Sequence, residues 1–268
     1  MIYDLQKASI LKRISAFLLD IILMLIAVTG FATLLSNVTD IKATNDNLYK
    51  VLKEYEKQFS ENEWILSIDF LNAKFTVDGK EFEFQDLTEE QQNYINTAYS
   101  TVKNDERYIY ESQMIFNKTL IIVSISLLLG HLLLEFFVPL ILKNGQTVGK
   151  KIFSIAVMRV DGVKINSIVL FVRAILGKYT IETMIPAYLI LMHLFHVGTL
   201  VTLGVLVIIP IFEIILIVVT KTNSLIHDIL SSTVSVDLQS QMIFDSLEAK
   251  HEYQLRIHEE EAKNAKYF

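Results

Sequence analysis

The chain has 268 residues, of which 52 % are hydrophobic and 20 % charged, with a mean hydropathy of +0.41. Ordinary soluble domains seldom combine these values, so the composition points to an integral membrane protein. Cysteine is absent, which excludes disulfides, thiolate catalysis and Cys-type zinc sites together.

The net charge of −6 and pI near 5.6 are distributed unevenly and have to be read segment by segment. The N-terminal stretch is polar and basic and leads into the first apolar run, Ile14 to Leu35. That run is too long for a signal peptide and no small-residue cleavage site closes it, so the first helix is expected to remain as an anchor. Arg13 stands at its edge and Asp20 inside it. An ionisable residue within a spanning helix is a candidate functional site by default, because hydrocarbon penalises an unpaired charge. Seven residues are about two turns, so the two share a face with Ala16 and Phe17, and each is expected to meet a group on another helix.

Residues 37–115 are rich in Asp and Glu, among them Glu54, Glu56, Glu61, Glu63, Glu81, Glu83, Glu89 and Glu90. Leu48, Val51, Leu52, Tyr55 and Phe59 recur at helical spacing. Asp78-Gly79 is placed as a hairpin turn between Phe75, Val77 and Phe82, Phe84. Thr88 and Gln91 form a capping pattern that opens a helix near Glu89. Nothing here has catalytic spacing, so the segment reads as a small α+β cap or docking surface.

Three further runs are long enough to span, or nearly span, a bilayer: Phe116 to Leu142, Thr180 to Val197 and Gly198 to Thr220. The third of the four runs is the weakest, with Glu182 and Pro186 near its start. A turn at Gly198 makes a hairpin of the last two; the alternative is a single broken or re-entrant segment. Between the second and third runs Lys143, Lys150, Lys151, Arg159, Lys164, Arg173 and Lys178 face one acid, Asp161. The lysine and arginine excess places this loop and both termini in the cytoplasm, and residues 37–115 outside.

The loop holds Asn144-Gly145-Gln146-Thr147-Val148-Gly149-Lys150-Lys151. It fails as a phosphate-binding loop, since three residues separate the glycines and Lys151 replaces the required hydroxyl. Residues 165–176, with Arg173, read as an amphipathic segment at the inner interface, its lysines facing anionic lipid headgroups. Asp20, Glu135 and Glu213 each lie six or seven residues from the cytoplasmic ends of their runs, roughly 10 Å deep at the helical rise. Two readings stay open: a shared acidic site for a proton or small cation, with Arg13 or Arg173 as counter-charge, or separate pairing of each acid. His131 stands one turn before Glu135 and is a candidate relay or a simple interhelical hydrogen bond. His227-Asp228, just past the last run, reads as a clasp to the basic loop through Arg173 or Lys150. Residues 239–268 form a charged tail able to dock a partner.

Taken together, Arg13 with Ala16 and Asp20, the 144–151 stretch with Gly145, Thr147, Gly149 and Lys150, Val157 to Gly162, Arg173 and His227-Asp228 resemble the RDD family of bacterial membrane proteins. The resemblance covers roughly 8–36 and 116–237. It implies that Arg13 is the family's arginine, Asp20 its first aspartate and Asp228 its second, with a bacterial cell-membrane location and a role in transport, cation/proton antiport having been proposed for some members. The 37–115 insertion departs from compact members, as does Ser231-Ser232-Thr233, which stands where Ala-Gly-Thr is commoner.

The expectation is therefore an all-α membrane protein. It comprises a four-helix transmembrane bundle with a small α+β extracytoplasmic insertion and an interfacial amphipathic segment, organised as 1–36, 37–115, 116–238 and 239–268. Transport of small cations coupled to protons is the leading function, with Asp20 as the central carboxylate, Glu135 and Glu213 as secondary acids and Arg13 and Arg173 as counter-charges, in a homo-oligomer, since four helices hardly enclose a gated path. The alternative is an adaptor that binds partners through the insertion and tail. No enzymatic activity, cofactor, metal or nucleic-acid partner is expected.

Overall fold

The computed structural model describes residues 5–265; residues 1–4 and 266–268, which belong to the N-terminal segment and the tail, lie outside the described residues. The chain divides into two compact units, one of residues 1–32 and 124–268, the other of residues 33–123. Three helices are long and apolar enough to cross a membrane, Ile10–Val38, Glu106–Leu142 and Leu200–Val219.

In the 33–123 unit, α2 (Ile41–Ser60) and α3 (Glu89–Lys103) pack on an antiparallel sheet of β1 (Leu66–Asp69), β2 (Lys74–Val77) and β3 (Lys80–Phe82). Alternation along β1 and β2 turns Leu66, Ile68 and Phe75 inward, where they meet Leu52, Ile95, Ala98 and Val102 from the helices. Asp78 and Gly79 both hold positive φ and close the β2–β3 hairpin at the turn expected from the sequence, with Phe75 opposite Phe82, while Phe84 falls beyond β3 in a short 3-10 turn. The capping box at α3 is also present. Gln91 N–H donates to Thr88 Oγ1 at 3.3 Å, and the Gln91 side chain accepts from Thr88 N–H at 3.0 Å.

The other unit is built from α1 (Ile10–Val38), the end of α4 (Glu106–His131) continuing through a π-helical stretch, Leu132–Phe137, into α5 (Val138–Leu142), and the segments after it. A short α6 (Val148–Ile152) leads into β4 (Ile155–Arg159). Next come α7 (Ser167–Phe171), a second π-helical stretch, Val172–Met184, and α8 (Ile185–Leu194), which join without a break into one helix over residues 167–194. The amphipathic stretch read over 165–176 is thus the first half of a longer helix rather than a separate segment. The physical reason is the wide i→i+5 winding, in which Ile185 N–H reaches the Thr180 carbonyl. The helix passes in this way to Pro186, which has no N–H to donate. A tight turn around Gly198 then reverses the chain into α9 (Leu200–Val219), with the amides of Val197 and Gly198 both donating to Met192 O at 2.8 Å.

After α10 (Ile226–Leu230), β5 (Thr233–Asp237) pairs antiparallel with β4, Val157 opposite Ser235. The N-terminal segment adds to the free edge of β5, where Ala8 N–H donates to Ser235 O and Asp237 N–H to Gln6 O. This small sheet buries Ala156, Met158, Val234 and Val236. It corrects the purely helical expectation for the membrane core, and it ties the entry to α1 to the exit from α10. The tail carries α11 (Leu247–Ala265).

Candidate functional site

Three sets of polar and ionic contacts join α1, the 144–151 stretch, the 106–142 helix, the 167–194 helix, α9 and α10. The first holds α1 to the 144–151 stretch. Gly145 (φ 60°) turns the chain against Val157, and Gln146 Nε2 donates to Ile155 O at 2.9 Å. Thr147 caps α6 by accepting from Lys150 N–H at 3.3 Å. The uncapped side of that helix start is closed by Asp20. Its Oδ2 accepts from Thr147 Oγ1 at 2.5 Å and its Oδ1 from Gly149 N–H at 2.8 Å. A carboxylate at a helix N-terminus is favoured by the orphan amides and the dipole there.

The second set is centred on Asp228, which is 1 % exposed. Its Oδ1 accepts from Arg173 Nη2 at 2.7 Å and from Thr233 Oγ1 at 3.3 Å. Its Oδ2 lies 3.7 Å from Arg13 Nη2 and accepts from Leu225 N–H at 3.4 Å, at the start of α10. Arg13 also donates from Nη1 to Asn223 O at 2.6 Å, and Arg173 from Nε to Thr233 Oγ1 at 3.3 Å. Arg13 and Asp20 therefore meet partners on different elements, and the clasp read at His227-Asp228 closes through Arg173.

The third set runs along the π-helical stretches. Glu135 pairs with Lys178 at 2.5 Å. His131 has Nδ1 2.8 Å from Leu127 O and Nε2 3.2 Å from Thr183 Oγ1, which satisfies a neutral imidazole. The Glu182 carboxylate accepts from His227 N–H at 2.9 Å, and both of its oxygens lie within 2.8 Å of His227 Nδ1. This contact depends on Gly177, since a Cβ there would stand 2.5 Å from His227 Cβ. Glu213, on α9, faces Glu182, and its Oε1 is a buried oxygen with no hydrogen-bond partner among the described residues. Asp20, Glu135 and Glu213, equal in depth along the sequence, thus contact Thr147 and Gly149, Lys178 and Glu182 respectively.

Burial, with Arg173, Lys178, Lys150 and Arg13 adding to it, pushes the His227 imidazole well below its ordinary value and leaves it neutral. Desolvation likewise pulls the Lys150 ammonium down to about 7, helped by Lys178 and Arg173 and opposed by Glu135 and Asp20. Below about 7 this lysine is charged in both folded and unfolded chains, and the folded state bears the whole desolvation cost. Between about 7 and its ordinary 10.5 the folded chain releases the proton first, so stability rises with pH across that window. Lys150→Met is expected to flatten this part of the pH profile of the unfolding midpoint. Parallel profiles for variant and wild type would remove Lys150 as its source.

Glu182 was legible from the sequence only as a weakness of the third apolar run. Among the described residues no group of three or more His, Cys, Asp or Glu is arranged to hold a metal ion.

The RDD family model matches residues 7–232, which takes in α1, the insertion, the 144–151 connector, both π stretches and α10. The chain belongs to the RDD family. No curated protein and no solved structure matches it. As an RDD-family membrane protein, it places its apolar helices in contact with the lipid bilayer.

Proposed function

We propose that this RDD-family protein transports small cations in exchange for protons across the bacterial cell membrane. In this reading the run Thr180 to Val197, which takes in the second half of the 167–194 helix, is a fourth span beside the three apolar helices. Both termini and the lysine-rich loop face the cytoplasm, with Lys143 and Lys151 exposed towards anionic headgroups. Residues 37–115 lie outside. The observation that carries the reading is the unpartnered Oε1 of Glu213, inside the most apolar helix and near its cytoplasmic end. A lone buried carboxylate oxygen in such a helix is costly to maintain and is the default mark of an ion or proton path. Asp20, Arg13, Glu135, Arg173 and Asp228 already have partners. They act here as the fixed frame against which the α8–α9 hairpin moves, and a homo-oligomer supplies the remaining walls of the path.

The test is cation-driven proton flux in liposomes of purified protein, with sodium, potassium and lithium gradients in turn. Wild type is expected to carry protons against at least one of these gradients, and Glu213→Gln at equal density to fall to the level of protein-free vesicles. A well-folded wild type without flux, for every cation and both gradient directions, sinks the transport reading in favour of an adaptor working through residues 37–115 and the tail.

A further inference from the structure

Resting on that reading, we infer that Glu182 and Glu213 share one exchangeable proton, and that this pair, rather than Asp20, is the proton-carrying site. The geometry is that of two carboxyl groups facing each other across two helices, one braced and one free. Glu182 is braced on the α10 side, where it accepts from the amide and sits against the imidazole of His227. Glu213 has Glu182 before it and an empty acceptor position at Oε1.

The surrounding charges among the described residues have partners elsewhere, and Lys178 and Arg173 act on Glu182 only through space. On the same helix as Glu182, Lys178 is committed to Glu135 and Arg173 to Asp228. From α10, His227 is neutral and Asp228 is held by Arg173 and Arg13. From the 106–142 helix, His131 is occupied by Leu127 O and Thr183. Lys150 acts on His227 only at a distance. No ammonium or guanidinium among the described residues therefore pairs directly with either Glu182 or Glu213. Two adjacent carboxylates without a cation between them repel, and the usual resolution is a single proton held by both. In the loaded state one carboxylic O–H donates to the other group's carboxylate oxygen and the pair bears one negative charge. On unloading the proton leaves to water and both groups are carboxylates. No bond other than O–H is made or broken.

Infrared difference spectroscopy between acidic and alkaline buffer, on the full-length protein in lipid nanodiscs, reads the pair directly. Wild type is expected to show a carboxylic-acid C=O band. Glu213→Gln and Glu182→Gln each lose it, and Glu259→Gln, on the exposed tail, keeps it. Glu213→Asp is expected to restore the band at a shifted frequency, which covers the case in which a glutamine variant fails to fold. A band unchanged in Glu213→Gln, or unshifted in Glu213→Asp, overturns the shared proton. The same preparations in liposomes separate the two readings. A band without wild-type flux defeats transport and leaves the shared proton standing, whereas wild-type flux that survives Glu213→Gln overturns the pair as the proton-carrying site.

Discussion

Replacing Asp228 by alanine is expected to be the most damaging single change in the membrane core, lowering stability by roughly 3–5 kcal/mol, the usual cost of removing one partner of a buried ion pair. The magnitude follows from what the substitution strands. Arg173, whose side chain is 3 % exposed, loses its 2.7 Å contact and among the described residues keeps the Thr233 hydroxyl at 3.3 Å. Arg13 keeps the Asn223 carbonyl but loses the anion that offsets its proximity to Arg173. The start of α10 loses the acceptor for Leu225 N–H. Asp228→Asn retains the shape and part of the hydrogen bonding, so its effect is expected to be smaller than that of alanine. Adding Arg173→Met to Asp228→Ala is expected to recover part of the loss, because an unpaired buried guanidinium is worse than an apolar side chain of similar length. Unfolding midpoints in detergent, measured for the two single variants and the double, check this. Additive losses, or an Asp228→Ala midpoint equal to wild type, would show that Asp228 is not the hub of the clasp.

The parts of this architecture that follow from short-range chemistry were legible in the sequence. The Asp78-Gly79 turn needs two residues at positive φ, and the Thr88 and Gln91 cap needs only its own spacing. The long apolar runs of α1, α4–α5 and α9 announce themselves by composition. Partner choice was legible only in outline. The two-turn separation of Arg13 and Asp20 implied that each would look to another element, but not that Asp20 would cap α6 while Arg13 joined Asp228. Equal depth of Asp20, Glu135 and Glu213 says nothing about azimuth, and azimuth depends on winding. A π-helical turn rotates every later side chain relative to an α-helical count, which brings Lys178 to Glu135 and Glu182 to His227. The β4–β5 sheet was hidden for a different reason: its strands are five residues each and lie far apart in the chain, so no local pattern reports their pairing.

Gly149→Ala is the second change with a large expected effect, and it tests Asp20 as a fixed anchor rather than a mobile carrier. The added Cβ would stand 2.3 Å from the Ala16 carbonyl oxygen and 2.9 Å from Asp20 Oδ1. The obstacle is backbone of α1, which no rotamer change relieves, so α6 has to move away and lengthen the Gly149 N–H contact to Asp20. Overpacking of this kind costs about 1–3 kcal/mol, with the lost charge-assisted hydrogen bond on top. Gly204→Ala in α9 is the matched control, since nothing lies within 4 Å of its added Cβ and alanine is the better helix former. The unfolding midpoint is expected to fall sharply for Gly149→Ala and to hold or rise for Gly204→Ala. Because Gly149 and Asp20 act through one contact, Asp20→Asn is expected to cost less in the Gly149→Ala background than in wild type, by a coupling on the order of 1 kcal/mol. If the two losses simply add, Asp20 does not depend on the α6 amide, and a carboxylate free to leave that position regains its claim to the ion path.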